Sequence, residues 1–193
     1  MSNTEQAILD RLNADNWAVL YRCRWSKLEA EQVVPQLETL LDSEDREIRD
    51  EALRGLFRIG TSAVSAASRV ASLIESQDPI TRQLAVLTLG QIAFEVPDLC
   101  VEPLASVLSD PLCCRDAMRS LAIIGRNALS AIERVQERFN DRDAKIRMAA
   151  LLTATAIDST HPGTIELIDE ASKDRSKVIR DAAAKCKQKV KSI

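Results

Sequence analysis

Aromatic residues make up only 3 % of this 193-residue chain. A core without them must be packed from Leu, Ile, Val and Ala, which suits helices at short range better than a β-sandwich, so almost no strand is expected. The five glycines are scattered and form no phosphate-cradling loop. The single histidine, His161, stands in a turn beside Pro162 with no Cys or Asp at ligand spacing, and reads as a loop residue; no metal or other cofactor is expected. The N-terminus lacks a basic region followed by an apolar run, and no stretch approaches the roughly 18 apolar residues of a membrane span, so a cytoplasmic protein without membrane contact is expected. None of the five cysteines is in C-x-x-C spacing, which points to reduced thiols. Vicinal Cys113 and Cys114 could form a redox or metal-binding pair. Cys113 shares a column with Ile48, Thr81, Ile146 and Ile179, however, which favours small buried hydrophobes.

What the chain does have is an internal repeat. Asp45, Asp78, Asp110, Asp143 and Ser176 start five copies of one pattern, at spacings of 33, 32, 33 and 33 residues, a period typical of helical repeats. Seven residues after each start stands an alanine: Ala52, Ala85, Ala117, Ala150 or Ala183. Fourteen residues after each start stands Ile59, Ile92, Ile124, Ile157 or Val190. Each unit is expected to hold a first helix A, a turn, and a second helix B that carries the recurring stretch. The five starting residues are types that accept hydrogen bonds from the orphan N–H groups of a helix start, so they read as N-caps of the B helices. Pro79 and Pro111 follow two of them at the first helical position. Gly60 and Gly125 end two B helices where a positive φ is usually needed.

The reading is a single α-solenoid domain over residues 1–193: an N-terminal helical cap at 1–32, then repeats at 33–60, 61–93, 94–125, 126–158 and 159–193. Within the cap, Thr4 to Asn13 and Asn16 to Glu29 read as a helical pair. Trp17, Leu20, Tyr21, Trp25 and Leu28 share one helix face, which either packs onto the next helix or forms a stacking platform. Four residues after the N-cap stands Arg49, Arg82, Arg147 or Arg180, with Cys114 in the third copy. A cation suits the first turn of a helix poorly. These arginines are therefore expected to reach acidic caps in their own or adjacent repeats, as a structural ladder.

The pattern D-x-x-[IV]-R-x-x-A-[LV]-x-x-L-x-x-[IL]-G, seen as D-R-E-I-R-D-E-A-L-R-G-L-F-R-I-G from Asp45 and as D-P-I-T-R-Q-L-A-V-L-T-L-G-Q-I from Asp78, resembles HEAT repeats. It is most similar to the short bacterial kind first grouped with phycobilisome lyases. The resemblance covers roughly residues 33–191 and implies an all-α, right-handed solenoid of helical hairpins. Similar arrays mostly bind other proteins, while certain members handle bilins or alkylated DNA.

In such a solenoid the B-helix columns facing away from the A helices form the usual concave binding surface. At 100° per residue the buried arc centres on Ala52 and Ile59, and the opposite arc holds Glu47, Asp50, Arg54 and Arg58. Followed through the repeats, that arc becomes apolar in the middle. The candidate partner-binding residues are Arg54, Ile80, Leu87, Leu112, Arg115, Arg119, Ile123, Met148 and Leu152. The competing reading is that curvature buries these side chains between neighbouring B helices.

Residues 1–172 carry 18 basic and 27 acidic side chains, whereas 173–193 carry 8 and 2. An acidic body argues against a nucleic-acid groove along the array. A DNA glycosylase would need a basic concave surface and a carboxylate among aromatics. A bilin lyase would need a tetrapyrrole pocket, for which Cys113, Cys114, Arg115 and Arg119 are the nearest approach. The expectation is a monomeric, non-enzymatic module that binds another protein. The alternatives are a tetrapyrrole lyase or chaperone and a toxin-immunity protein.

Overall fold

The computed structural model describes residues 27–191, all helices and connecting turns. The aromatic stripe from Trp17 to Trp25 and the first cap helix lie outside the described residues. Two compact units divide between Val96 and Pro97, just inside the third expected repeat.

The first unit begins with α1 (Lys27–Leu40), which runs unbroken across the boundary expected between cap and first repeat. It packs on α2 (Arg46–Ile59). The chain from Gly60 to Glu75 forms the second A segment: a 3-10 stretch (Gly60–Ala66), α3 (Ala67–Ser72) and a closing 3-10 turn (Leu73–Glu75). Next, α4 (Pro79–Ile92) lies alongside α2. The second unit runs α5 (Pro97–Ser106), α6 (Cys114–Ile124), a 3-10 stretch (Gly125–Ala131), α7 (Ile132–Glu137), α8 (Ala144–Ile157), α9 (Pro162–Ala171) and α10 (Lys177–Lys191). Here α6, α8 and α10 pack in succession as the B layer, with α5, α7 and α9 as the A layer.

The column of five alanines is fully buried. A methyl side chain at that point lets each B helix approach its neighbours closely, and the leucines four residues on, Leu56, Leu89 and Leu121, fill the space beside it without exposure. Each such leucine contributes roughly 1.5–3 kcal/mol of burial. Polar ties add register: the Thr88 hydroxyl donates to the Leu53 carbonyl at 3.1 Å in the first unit, and Thr153 to the Met118 carbonyl at 3.2 Å in the second.

Three of the five expected caps form at a helix start. Asp45 accepts from the Glu47 N–H, Asp78 from Ile80 and Thr81, and Asp143 from Lys145. A second polar position, two residues upstream, supports the caps. Ser43, Ser76, Asp141 and Asp174, each two before the cap, accept the cap's own N–H and fold the turn back on itself. The third repeat has Leu108 there. Asp110 still accepts from Leu112 at 2.8 Å, but residues 111–113 form a turn and α6 starts only at Cys114, not at Pro111.

The arginine ladder is built differently from expectation. Arg49, Arg82, Arg147 and Arg180 each donate through Nη1 to two backbone carbonyls of their own inter-helix turn, those of Ser43 and Glu44, Ser76 and Gln77, Asp141 and Arg142, and Asp174 and Arg175. These are the carbonyls ending the A helix region, so the cation meets negative partial charge there. Arg147 is also paired to a carboxylate of the next repeat, Asp174.

Gly60 (φ 70°) and Gly125 (φ 63°) close their B helices in the left-handed half of backbone space, as expected. The segments after them match: Ala63 and Ala128 have φ, ψ of −90°, 19° and −92°, 18°.

Candidate partner-binding face

The expected face falls partly in each unit. In the first, Ile80 is exposed on the first turn of α4, while Arg54 and Leu87 are half-buried on α2 and α4. Arg54 and Leu87 line a groove of about 290 Å³ together with Phe57, Arg58, Leu84 and Thr88. Arg54 is held by the Glu51 carboxylate at 2.6 Å. Phe57, beside Arg58 of the open arc, extends the face beyond the residues the sequence singled out; it occupies a column otherwise filled by Gly90, Ala122, Thr155 and Gln188, a contrast that could have flagged it.

Asp50 is a correction. The helical wheel placed it on the open arc, but it is 2 % exposed and accepts a 2.7 Å hydrogen bond from the Thr81 hydroxyl of the neighbouring B helix. Thr81 stands where other repeats carry Ile or Cys, and a buried carboxylate needs such a donor.

In the second unit, Leu112 and Ile123 lie before and near the end of α6, with Arg115 and Arg119 between them; all four are exposed. Leu152 on α8 is 49 % exposed, next to fully buried Leu151, and Met148 is half-buried. Val178, in the column of Leu112 and Lys145, is exposed on α10 and was not among the expected residues. Leu112, Ile123 and Leu152 thus stand at the surface, whereas Leu87 and Met148 are half-buried.

Cys113 and Cys114 face the core while Arg115 and Arg119 face solvent, so the four do not line one pocket. Burial pushes the Cys114 thiol up, with Arg138 opposing it, and pushes Cys100 up to about 11. Thiols so held are protonated at neutral pH and unreactive. His161 precedes α9, where its carbonyl accepts from Thr164 and Ile165. Among the described residues no group of His, Cys, Asp and Glu side chains is placed to hold a metal ion, and no helix is long and apolar enough to cross a membrane.

A groove of about 540 Å³ lies on the A side of the first unit and brings Glu31 and Glu95 to small and hydroxyl side chains. A second A-side groove, about 340 Å³, is lined by Glu133, Glu137, Glu166 and Glu170.

No family model matches the sequence, and no curated protein matches it. Solved structures do. An engineered protein from the Northeast Structural Genomics Consortium is 20 % identical, with 100 % of this chain and 98 % of that one covered, at a TM-score of 0.74. A designed armadillo repeat protein in complex with the peptide (KR)4 is 14 % identical over 97 % of this chain and 99 % of that one, at 0.75. A computationally designed armadillo repeat protein for modular peptide recognition is 16 % identical over 83 % of each, at 0.66. At these identities the likeness speaks for architecture: the chain is an all-α solenoid of helical repeats.

Proposed function

We propose that the chain is a non-enzymatic, protein-binding repeat module whose B-helix surface receives the partner. One observation carries this reading. In the second unit Leu112, Ile123, Leu152 and Val178 are 44 %, 55 %, 49 % and 68 % exposed on one B-helix layer, with charged side chains beside them. Apolar patches rimmed by charge are a common form of partner site. Two of the similar designs are made for, or bound to, peptides, which agrees with a scaffold used in this way. The peptide in that complex is basic, however, and Arg115 and Arg119 would repel one here. The phycobilisome-lyase likeness bears on the repeat only; among the described residues the thiols face inward and give a bilin no attachment point.

The test is affinity capture from the native source with quantitative mass spectrometry. Leu112→Asp with Leu152→Asp should lose a partner that wild type and an A-side variant, Glu133→Ala with Glu137→Ala, both retain. Equal recovery by all three would overturn the assignment.

A further inference from the structure

Surface charge in the second unit is divided between its two helix layers. The A helices expose Asp98, Glu102, Glu133, Glu137, Glu166 and Glu170. The B layer exposes Arg115, Arg119, Lys145 and Lys185, and with them the carboxylate of Asp181, one turn before Lys185. None of these four cations is in an ion pair among the described residues, whereas A-layer Arg134 is tied to Glu102 and Lys187 to Asp169.

The repeat register orders the B-layer cations. Arg119, Leu152 and Lys185 occupy the same position of three successive B helices, so an exposed leucine lies between two cations. In the next column Lys145 separates two exposed aliphatics, Leu112 and Val178. Cation and aliphatic therefore alternate along the stack. Packed helices stand roughly 8–10 Å apart, which puts Arg119 and Lys185 roughly 20 Å from each other. An extended chain covers that distance in about six residues.

We propose that this face docks an extended acidic segment of a protein partner, in which an aliphatic residue is flanked on each side, about three residues away, by carboxylates. The aliphatic side chain would settle on Leu152, and the carboxylates would meet Arg119 and Lys185. A nucleic-acid phosphate chain satisfies the cations but gives Leu112, Leu152 and Val178 nothing apolar to cover, and no aromatic side chain stands among them to stack on bases. The charge also sets the approach: the acidic A layer repels such a segment, so encounter is steered to the B side.

The inference rests on reading the B layer as the partner surface, and the experiment separates the two. Fluorescence anisotropy of the full chain would use three labelled probes: a peptide of about twelve residues with leucine flanked by glutamates, the same peptide with lysine for glutamate, and a single-stranded DNA of similar length. The glutamate peptide should bind, weaken with added salt, and lose about tenfold or more in affinity with Arg119→Glu, Lys185→Glu or Leu152→Asp. Binding of the lysine peptide as tight as that of the glutamate peptide, and lost in Leu152→Asp, would overturn the acidic partner and keep the B-layer surface. Peptide binding unchanged by Leu152→Asp would overturn the surface itself. DNA binding at least as tight and indifferent to Leu152→Asp would make the cations a phosphate site, and absence of binding by all three probes would likewise refute the proposal.

Discussion

Arg147 and Asp174 form a two-pronged ion pair in which both side chains are only 6 % exposed, with Nε–Oδ2 at 2.8 Å and Nη2–Oδ1 at 3.0 Å. The same guanidinium donates to the Asp141 and Arg142 carbonyls, and the same carboxylate accepts the Ser176 N–H. One contact thus ties the turn before α8 to the turn before α10. Its geometry is the planar match that lysine cannot reproduce.

Removing one partner of such a pair strands the other. Asp174→Ala should therefore cost about 3 kcal/mol of unfolding free energy in urea. Exposed pairs such as Arg134–Glu102 should cost under about 1 kcal/mol. Equal losses would show the buried pair to be no different from its exposed counterparts.

The hydrogen bonds from Arg147, offset in part by burial, hold the Asp174 carboxyl below its ordinary value. A depressed folded-state pKa contributes stability that is fully present above the unfolded value, about 3.9, and is lost as pH falls through the folded value. Wild type should lose stability below about pH 4 more steeply than Asp174→Asn, a difference that thermal melts across pH 2–6 would read.

The N-caps give the cleanest local test. Asp143→Ala removes the acceptor for the Lys145 N–H and should cost about 1 kcal/mol, whereas Asp143→Asn should cost only a few tenths. Glu166→Ala, on an exposed helix face, is the control and should change little. Asp158 would be a poor control, because its carboxylate holds the Thr160 N–H at 2.9 Å and hydroxyl at 2.7 Å.

Capping was legible because an aspartate and the N–H it accepts from are two or three residues apart, so sequence spacing carries the geometry. The alanine column and the exposed Leu152 were legible for the same reason, since helix periodicity fixes their direction. The arginine column was visible but its acceptors were not: every residue has a carbonyl, so a guanidinium bonding to one leaves no mark in the side-chain pattern. Asp50 was misplaced because a helical wheel describes one helix, while Thr81, which covers it, belongs to the next. The third repeat's late start followed from Leu108 and Cys114, which remove both the residue that ties back the cap and the arginine that braces the turn.

Adjacent Leu151 and Leu152 test the face assignment within one helix. Leu151 is fully buried, so Leu151→Ala should cost about 2–5 kcal/mol. Leu152→Ala should stay within about 0.5 kcal/mol in the same denaturation experiment. A comparable loss at Leu152 would mean that the column is core and would remove the basis for a partner surface.

The last prediction concerns Lys185, Lys187, Lys189 and Lys191 of α10, which give the chain its basic end. In the core-facing column Leu56, Leu89, Leu121 and Ala154 are buried, and Lys187 takes their place in the last repeat. Its ammonium group reaches Asp169 of α9 at 2.7 Å, so this lysine is occupied within its own repeat, and the bond from Lys187 holds the Asp169 carboxyl below its ordinary value. Lysines near a helix C-terminus also complement the dipole there. The cluster therefore leaves the fifth repeat with a wettable face. Nonspecific duplex DNA titrated at low salt should bind no tighter than the micromolar range, and Lys187→Gln should leave that affinity nearly unchanged. Submicromolar binding that falls steeply with salt, and is lost when all four lysines become glutamine, would make α10 a nucleic-acid contact instead.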